Sequence, residues 1–135
     1  MPSVADVVVL DASALLAYLQ AETGSDQVER ALGRAAMSTV NLAEVLTVAL
    51  RARGEDPRTL RPALLALGIV VHEFTTADAE SAASMFPKTK AAGLSLGDRA
   101  CLALGARLRA TVLTAERQRD WRAFGIPDVK IVHVR

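Results

Sequence analysis

Four acidic residues stand where one kind of segment gives way to another, and their carboxylates are the groups that could do chemistry. Asp11 follows directly on an apolar run over residues 4–10. Glu44 lies just past a second short run over 36–40, in the first turn of a helical stretch. Asp98 follows Gly97 in the first turn of another, and Glu116 comes two residues after a run that ends at Thr114. Taken singly, each has an ordinary structural explanation. Asn41-Leu42-Ala43-Glu44 and Ser95-Leu96-Gly97-Asp98 both match the capping pattern in which an acid reaches back to the helix start, and carboxylates in a first turn suit the helix dipole. On a helical wheel Glu44 falls beside Arg51, opposite the stripe of Leu42, Val45, Leu46 and Ala49. Glu116 and Asp120 read as an i,i+4 pair on a solvated helix face. Asp11 fits such a reading least, because it puts a charge at the end of a strongly apolar strand.

The joint pattern says more than its parts. Capping accounts for one acid at a time and does not require several at one edge. Carboxylates held close together repel, and at least one must take up a proton unless a cation stands between them. Ligands that are all oxygen favour a hard divalent ion, Mg²⁺ or Mn²⁺, over zinc. The chemistry such a site serves is metal-assisted phosphodiester hydrolysis, in which the ion makes hydroxide available near neutral pH and stabilises charge on the phosphate and the leaving oxygen.

These acids are useful only if the fold gathers them. Strand-like runs over 4–10, 36–40, 69–74, 111–114 and 130–134 alternate with helical patterns over 12–22, 25–32, 42–53, 77–85, 96–110 and 116–124. A further helix opens at Pro57 or, given Pro62 inside the pattern, near Arg61. Short strands alternating with helices imply βα units on a parallel sheet, an α/β layer fold. In an open sheet of this kind, sites form beyond the carboxyl ends of the strands, which is where Asp11, Glu44 and Glu116 fall.

Composition bounds the remainder. The 135 residues, 51% of them hydrophobic, suit one compact domain over residues 1–135 that needs neither disulfide nor structural metal. The single cysteine, Cys101, lies on the apolar side of its helix with Leu104 and Leu108 and reads as core. No apolar run is long enough to span a bilayer and no leader pattern opens the chain, so the expected setting is cytoplasmic, with no membrane partner. Sixteen basic against fifteen acidic residues give a net charge of +1, which excludes a strongly basic nucleic-acid binder; a polyanion would have to be met by a local patch. Arg99, Arg117, Arg119 and Arg122 flank the third and fourth acids and are candidate phosphate contacts, with surface solubility as the alternative.

Other mechanisms find less support. No phosphate-binding loop and no Gly-x-Gly-x-x-Gly segment is present. Ser13 lacks a neighbour that would mark it as a nucleophile and reads as a helix-start hydroxyl. His72 and His133 lie in strand patterns without metal-ligand spacing and read as packed or edge histidines, and Trp121 and Phe124 as anchors of a short helix. A phosphatase working through an aspartyl-phosphate would want a second aspartate at position 13, where serine stands.

The segments around the four acids carry a resemblance. Val8-Val9-Leu10-Asp11-Ala12-Ser13-Ala14-Leu15, Ser38-Thr39-Val40-Asn41-Leu42-Ala43-Glu44-Val45, Gly93-Leu94-Ser95-Leu96-Gly97-Asp98-Arg99-Ala100 and Val112-Leu113-Thr114-Ala115-Glu116-Arg117 resemble, in order, the signature segments of PIN-domain ribonucleases, most nearly the VapC-type toxins of bacterial toxin–antitoxin pairs. The first and third segments are the most specific and the fourth the least. The resemblance implies a three-layer α/β/α sandwich with a central parallel sheet, and an endoribonuclease dependent on Mg²⁺ or Mn²⁺. It also implies Asp11 and Asp98 as metal ligands, Glu44 completing the acidic site, and Thr114 as a hydroxyl beside it. Glu116 stands where the family more often has aspartate, and either it or Asp120 would supply a fourth acid. A homodimer and a cognate antitoxin covering the active site are implied as well, with Leu46, Leu50, Leu60, Leu64 and Leu65 on the paired helices offered to the antitoxin. The alternative reading is a PIN-like module that binds RNA or a partner and cuts weakly or not at all.

Overall fold

Short β-branched runs form the strands of a five-stranded sheet. β1 (Val8–Leu10), β2 (Ala35–Ser38), β3 (Val70–His72), β4 (Thr111–Thr114) and β5 (Lys130–His133) pair in the order β3-β2-β1-β4-β5, and every pairing is parallel. Parallel neighbours cannot be joined by a hairpin, so the connections cross a face of the sheet and carry helices. These are α1 (Ala12–Leu19), α2 (Ser25–Ala31), α3 (Thr39–Arg53), α4 (Pro57–Leu65), α5 (Thr76–Ser84), α6 (Phe86–Thr89) and α7 (Leu96–Leu108). The structure, a computed structural model, describes residues 6–135.

Alternation along the central strand separates two cores. Val8 and Leu10 face the layer of α1, α2, α3 and α4, where they meet Leu15, Val28, Val45 and Leu64. Val9 points the other way, toward Ala82 of α5 and Cys101, Leu102 and Leu104 of α7. This is the α/β layering expected from the alternating pattern, in the three-layer α/β/α form that the family resemblance implies. Val9 and Leu10 are wholly removed from solvent, and side chains of this size each contribute roughly 1.5–3 kcal/mol when fully buried. Cys101 is buried, as its position on the helix implied.

The strand order reverses at β1. From β1 the chain moves outward through β2 to β3, then returns to pair β4 on the opposite side of β1. The crevice of a doubly wound sheet opens at such a reversal, beyond the strands' carboxyl ends. Asp11 and Thr114 are the residues that stand there.

Several boundaries differ from the sequence expectation. Residues 4 and 5 of the first expected strand lie outside the described residues, and β1 begins at Val8. β2 ends at Ser38, and α3 starts at Thr39 rather than Leu42, because the Ser38 hydroxyl accepts the Val40 N–H at 3.2 Å and caps the helix. Asn41 is therefore a buried residue inside the first turn and not a cap, and Glu44 sits in the second turn. α4 opens at Pro57, capped by Asp56, and continues through Pro62. Residues 115–120 are not helical; only Trp121–Phe124 forms a 3₁₀ turn, so Glu116 and Asp120 are not partners on a helix face. Leu64 is core, whereas Leu50 and Leu65 remain 48% and 39% exposed.

Candidate active site

Asp11 directly follows the central strand and is only 3% exposed. Two hydroxyls hold its Oδ2: Ser13 Oγ donates at 2.6 Å and Thr114 Oγ1 at 3.1 Å. Each hydroxyl in turn accepts a backbone N–H, Ser13 from Ala115 at 2.9 Å and Thr114 from Glu116 at 3.1 Å. A hydroxyl has one proton to give. With both protons committed to Asp11, the 3.2 Å approach of the two oxygens to each other is a contact imposed by their shared acceptor. Ser13 does not cap the start of α1. It ties the strand-to-helix turn after β1 to the segment leaving β4.

Burial pushes the Asp11 carboxyl up to about 7. The Ser13 and Thr114 hydroxyls pull it down, while the negative charges of Asp98 and Glu44 push it further up. Glu44 is likewise raised, first by burial and then by Asp98, against the hydrogen bond from Asn41. Below them, the buried Cys101 thiol is raised by desolvation and by the charges of Asp11, Asp98 and Glu44 together. The three acids, from β1, α3 and α7, therefore form one electrostatic unit.

α7 is shaped for this meeting. Ser95 and Asp98 form a reciprocal capping box, with the Asp98 N–H donating to Ser95 Oγ at 3.1 Å and the Ser95 N–H to Asp98 Oδ2 at 3.0 Å. Between them, Gly97 leaves room for α3. Asn41 Nδ2 donates to Gly97 O at 2.9 Å and to Glu44 Oε1 at 3.0 Å. A Cβ on Gly97 would overlap the Glu44 carboxylate. Neither Asn41 nor Gly97 stood out in the sequence as a site residue. The available signal was a glycine in the first turn of an otherwise good helix, one residue before an acid, where no left-handed backbone calls for it.

The oxygens divide the acids into two groups. Asp11 Oδ1, Asp98 Oδ1 and Glu44 Oε2 make no hydrogen bond among the described residues. Glu116 has both oxygens taken: Oε1 by the Arg119 guanidinium, Oε2 by the N–H groups of Arg117 at 3.0 Å and Gln118 at 3.2 Å. Burial raises its carboxyl, but the Gln118 N–H, Arg119 and the Arg117 N–H outweigh this and hold it below the ordinary range. Asp120 is turned outward, paired through Nε and Nη2 of Arg122 at 2.8 and 3.2 Å. The structure brings Asp11, Glu44 and Asp98 together and leaves Glu116 and Asp120 bound to arginines.

The candidate phosphate contacts separate in the same way. Arg99 donates to Ala82 O at 3.0 Å and lies 5.5 Å from the Phe86 ring centroid, which fixes it against α5 and α6. Arg122 is occupied by Asp120. The Arg117 guanidinium is exposed and makes no ion pair among the described residues. His133 was expected as a packed or edge histidine; its Nε2 accepts the Trp121 N–H at 3.2 Å and its Nδ1 lies 3.1 Å from Glu116 O, which fastens the 115–121 loop to β5.

Whether a divalent ion suits this place can be judged from the donors. As placed, no three His, Cys, Asp or Glu side chains of the described residues form a ready-made ion cage. The donor set is nevertheless that of a hard cation: three carboxylates, each held by one oxygen and free at the other, with the charge of Asp98 raising the proton affinity of both Asp11 and Glu44. A further oxygen, the buried Asn41 Oδ1, has no partner. Asp11, Glu44 and Asp98 fit such an ion in charge and in ligand type.

A family model described as PIN domain matches residues 8–124. The chain belongs to the PIN-domain family. Among solved structures, this PIN domain is similar to a toxin–antitoxin complex from Klebsiella pneumoniae, with TM-score 0.72 and 21% identity over 95% of this chain and 98% of the other. It is also similar to the Mycobacterium tuberculosis sarcin–ricin-loop-cleaving toxin VapC20, with TM-score 0.71 and 18% identity over 91% and 98%. DNA-bound VapBC from Salmonella typhimurium gives TM-score 0.69 and 15% identity over 96% and 98%. No curated protein matches the sequence. At these identities the likeness is one of fold. No helix of the described residues is long and apolar enough to cross a membrane.

Proposed function

We propose that this PIN domain is a divalent-metal-dependent endoribonuclease, the toxin of a toxin–antitoxin pair. Family membership supports a nuclease role, and the observation that carries the finer reading is the buried Asp11, held by two hydroxyls and facing the charges of Asp98 and Glu44. In this reading Asp11 and Asp98 hold Mg²⁺ or Mn²⁺ through their free oxygens, and Glu44 completes the site. When bound, the ion supplies positive charge that favours hydroxide over water and stabilises the attacked phosphate.

The protein's own groups do the remainder. Ser13 and Thr114 keep Asp11 in one orientation, so its free oxygen needs no reorganisation on binding. Gly97 and Asn41 bring the Glu44 carboxylate against α7, where its raised proton affinity suits it to accept the attacking water's proton. Water adds to phosphorus, the bond to the leaving ribose oxygen breaks, and that oxygen is protonated from solvent. Arg117, exposed and unpaired, is the residue best placed to meet an RNA phosphate, and Thr114 acts through Asp11. Glu116 contributes through Arg119, not as a fourth ligand.

The toxin assignment rests on the resemblance of the signature segments and on the neighbouring folds, several of which come from toxin–antitoxin complexes. It is supported by a groove of about 80 Å³ between α1, α3 and α4, lined by Leu16, Leu19, Val48, Ala49 and Leu60. Its volume suits a single apolar side chain of an antitoxin, and Gln20, Arg53 and Glu55 also line it. A homodimer belongs to the same reading. The test is RNA cleavage with Mg²⁺ or Mn²⁺ by wild type, Asp11→Asn and Asp98→Asn; equal activity in all three overturns it. The saturated Glu116 carboxylate favours, as the second reading, a module that binds RNA without cutting. RNA binding that survives chelation, with no cleavage, would establish that instead.

A further inference from the structure

One cation already stands at the acidic site. The Arg119 side chain is about two-thirds buried, and three segments hold it: Nε lies on Glu116 Oε1, Nη1 donates to Ala92 O at 3.0 Å, and Nη2 lies 3.7 Å from Asp98 Oδ2. Glu116 is in turn fixed by two backbone N–H groups, so the guanidinium is mounted on the loop rather than left to search. Its one edge without a strong partner faces Asp98, whose Oδ2 it shares with the Ser95 N–H.

We propose that Arg119 is the resident counter-cation of the site: it neutralises part of the charge on Asp98 when no ion is bound, and it weakens the binding of a divalent cation by competing for the same carboxylate. The inference rests on reading Asp11, Glu44 and Asp98 as cation ligands. Arg119 is a positioning residue that sets ion affinity, and Glu116 is its anchor. The Ser95 capping bond keeps Asp98 oriented without Arg119, so electrostatic repulsion decides the direction of the effect. A fixed positive charge within a few ångströms of a divalent ion weakens its binding by about tenfold even at the dielectric of water.

The test is calorimetric titration of the chelator-treated full chain with Mn²⁺ at pH 8. Arg119→Gln and Arg119→Ala should bind Mn²⁺ about tenfold more tightly than wild type, and Arg119→Lys, which keeps the charge, should stay within about threefold. Either neutral variant suffices if the other does not fold. Binding by the neutral variants that equals or falls below wild type overturns the proposal. Asp11→Asn separates the two layers. If it abolishes Mn²⁺ uptake while the Arg119 variants match wild type, only the role of Arg119 falls. If it binds as well as wild type, or if no variant binds, the cation-site reading falls too.

Discussion

The carboxylate of Glu44 rests against the α-carbon of Gly97, in space that any larger residue at position 97 would fill. This contact joins α3 to the first turn of α7, and the hydrogen bond from Asn41 Nδ2 to Gly97 O reinforces it. An acid of the candidate site is placed here by the absence of a side chain on its neighbour.

Gly97→Ala should therefore displace Glu44 while leaving α7 helical. Overpacking of this kind costs about 1–3 kcal/mol, partly offset by alanine's better helix propensity of about 1 kcal/mol. The expected outcome is a folded protein, by circular dichroism, whose Mn²⁺ affinity falls at least several-fold. Unchanged affinity would mean that the Glu44 position is immaterial.

Asp11 gives the ion-free protein an unusual pH dependence. Its carboxyl is near 7 when folded and close to 3.8 when unfolded, so between those values the folded state binds the extra proton. Stability falls as pH rises through that window and levels off above it, by an amount on the order of 4 kcal/mol from this group alone. Asp11→Asn should flatten this slope and raise the chelated protein's melting temperature at pH 8, while abolishing RNA cleavage. Thermal scans from pH 5 to 8, with and without Mn²⁺, provide the check, since the ion should restore wild-type stability at high pH.

Ser13→Ala removes a donor to ionised Asp11 and the acceptor of the Ala115 N–H. Losing a donor to the charged form raises the Asp11 carboxyl further. The acidic limb of the activity profile should move to higher pH, and stability should fall by about 1–2 kcal/mol. An NMR titration of the Asp11 side-chain carboxyl would read the first effect directly.

Asp78 and Arg107 provide a control far from the chemistry. Their pairing, at 2.9 and 3.1 Å, joins the capping box of α5 to α7. Burial raises the Asp78 carboxyl, but Arg107 and the Thr75 N–H outweigh it and leave it lowered. Its contribution is thus present above the unfolded value and lost as pH falls through the folded one. Arg107→Leu strands a buried carboxylate and should cost about 2–3 kcal/mol, allowing for the partial exposure of the arginine. Mn²⁺ affinity should not change.

What was legible in the sequence was the part governed by local rules. The alternation of strands and helices, the Ser95–Asp98 capping box and the placement of acids after strands all depend on near neighbours. The start of α3 was not legible, because Thr39 and Val40 are β-branched and read as strand until the Ser38 cap and the packing of Asn41 against Gly97 override them. Residues 115–120 failed for the converse reason. Their charged residues suit a helix, but Glu116 spends its carboxylate on the N–H groups of Arg117 and Gln118, and His133 fastens the loop to β5. Such contacts span from 1 to 17 positions, and the longer ones leave no periodic trace.

The hydrogen bond from Thr114 to Asp11 spans 103 positions, and the Asp11 N–H is satisfied by Leu113 O on the same returning strand. A growing polypeptide that has emerged only as far as α7 already carries Asp11, Glu44 and Asp98, yet Asp11 has neither its second hydroxyl nor its backbone acceptor. Asp11 is therefore held in its observed orientation only once β4 has docked beside β1.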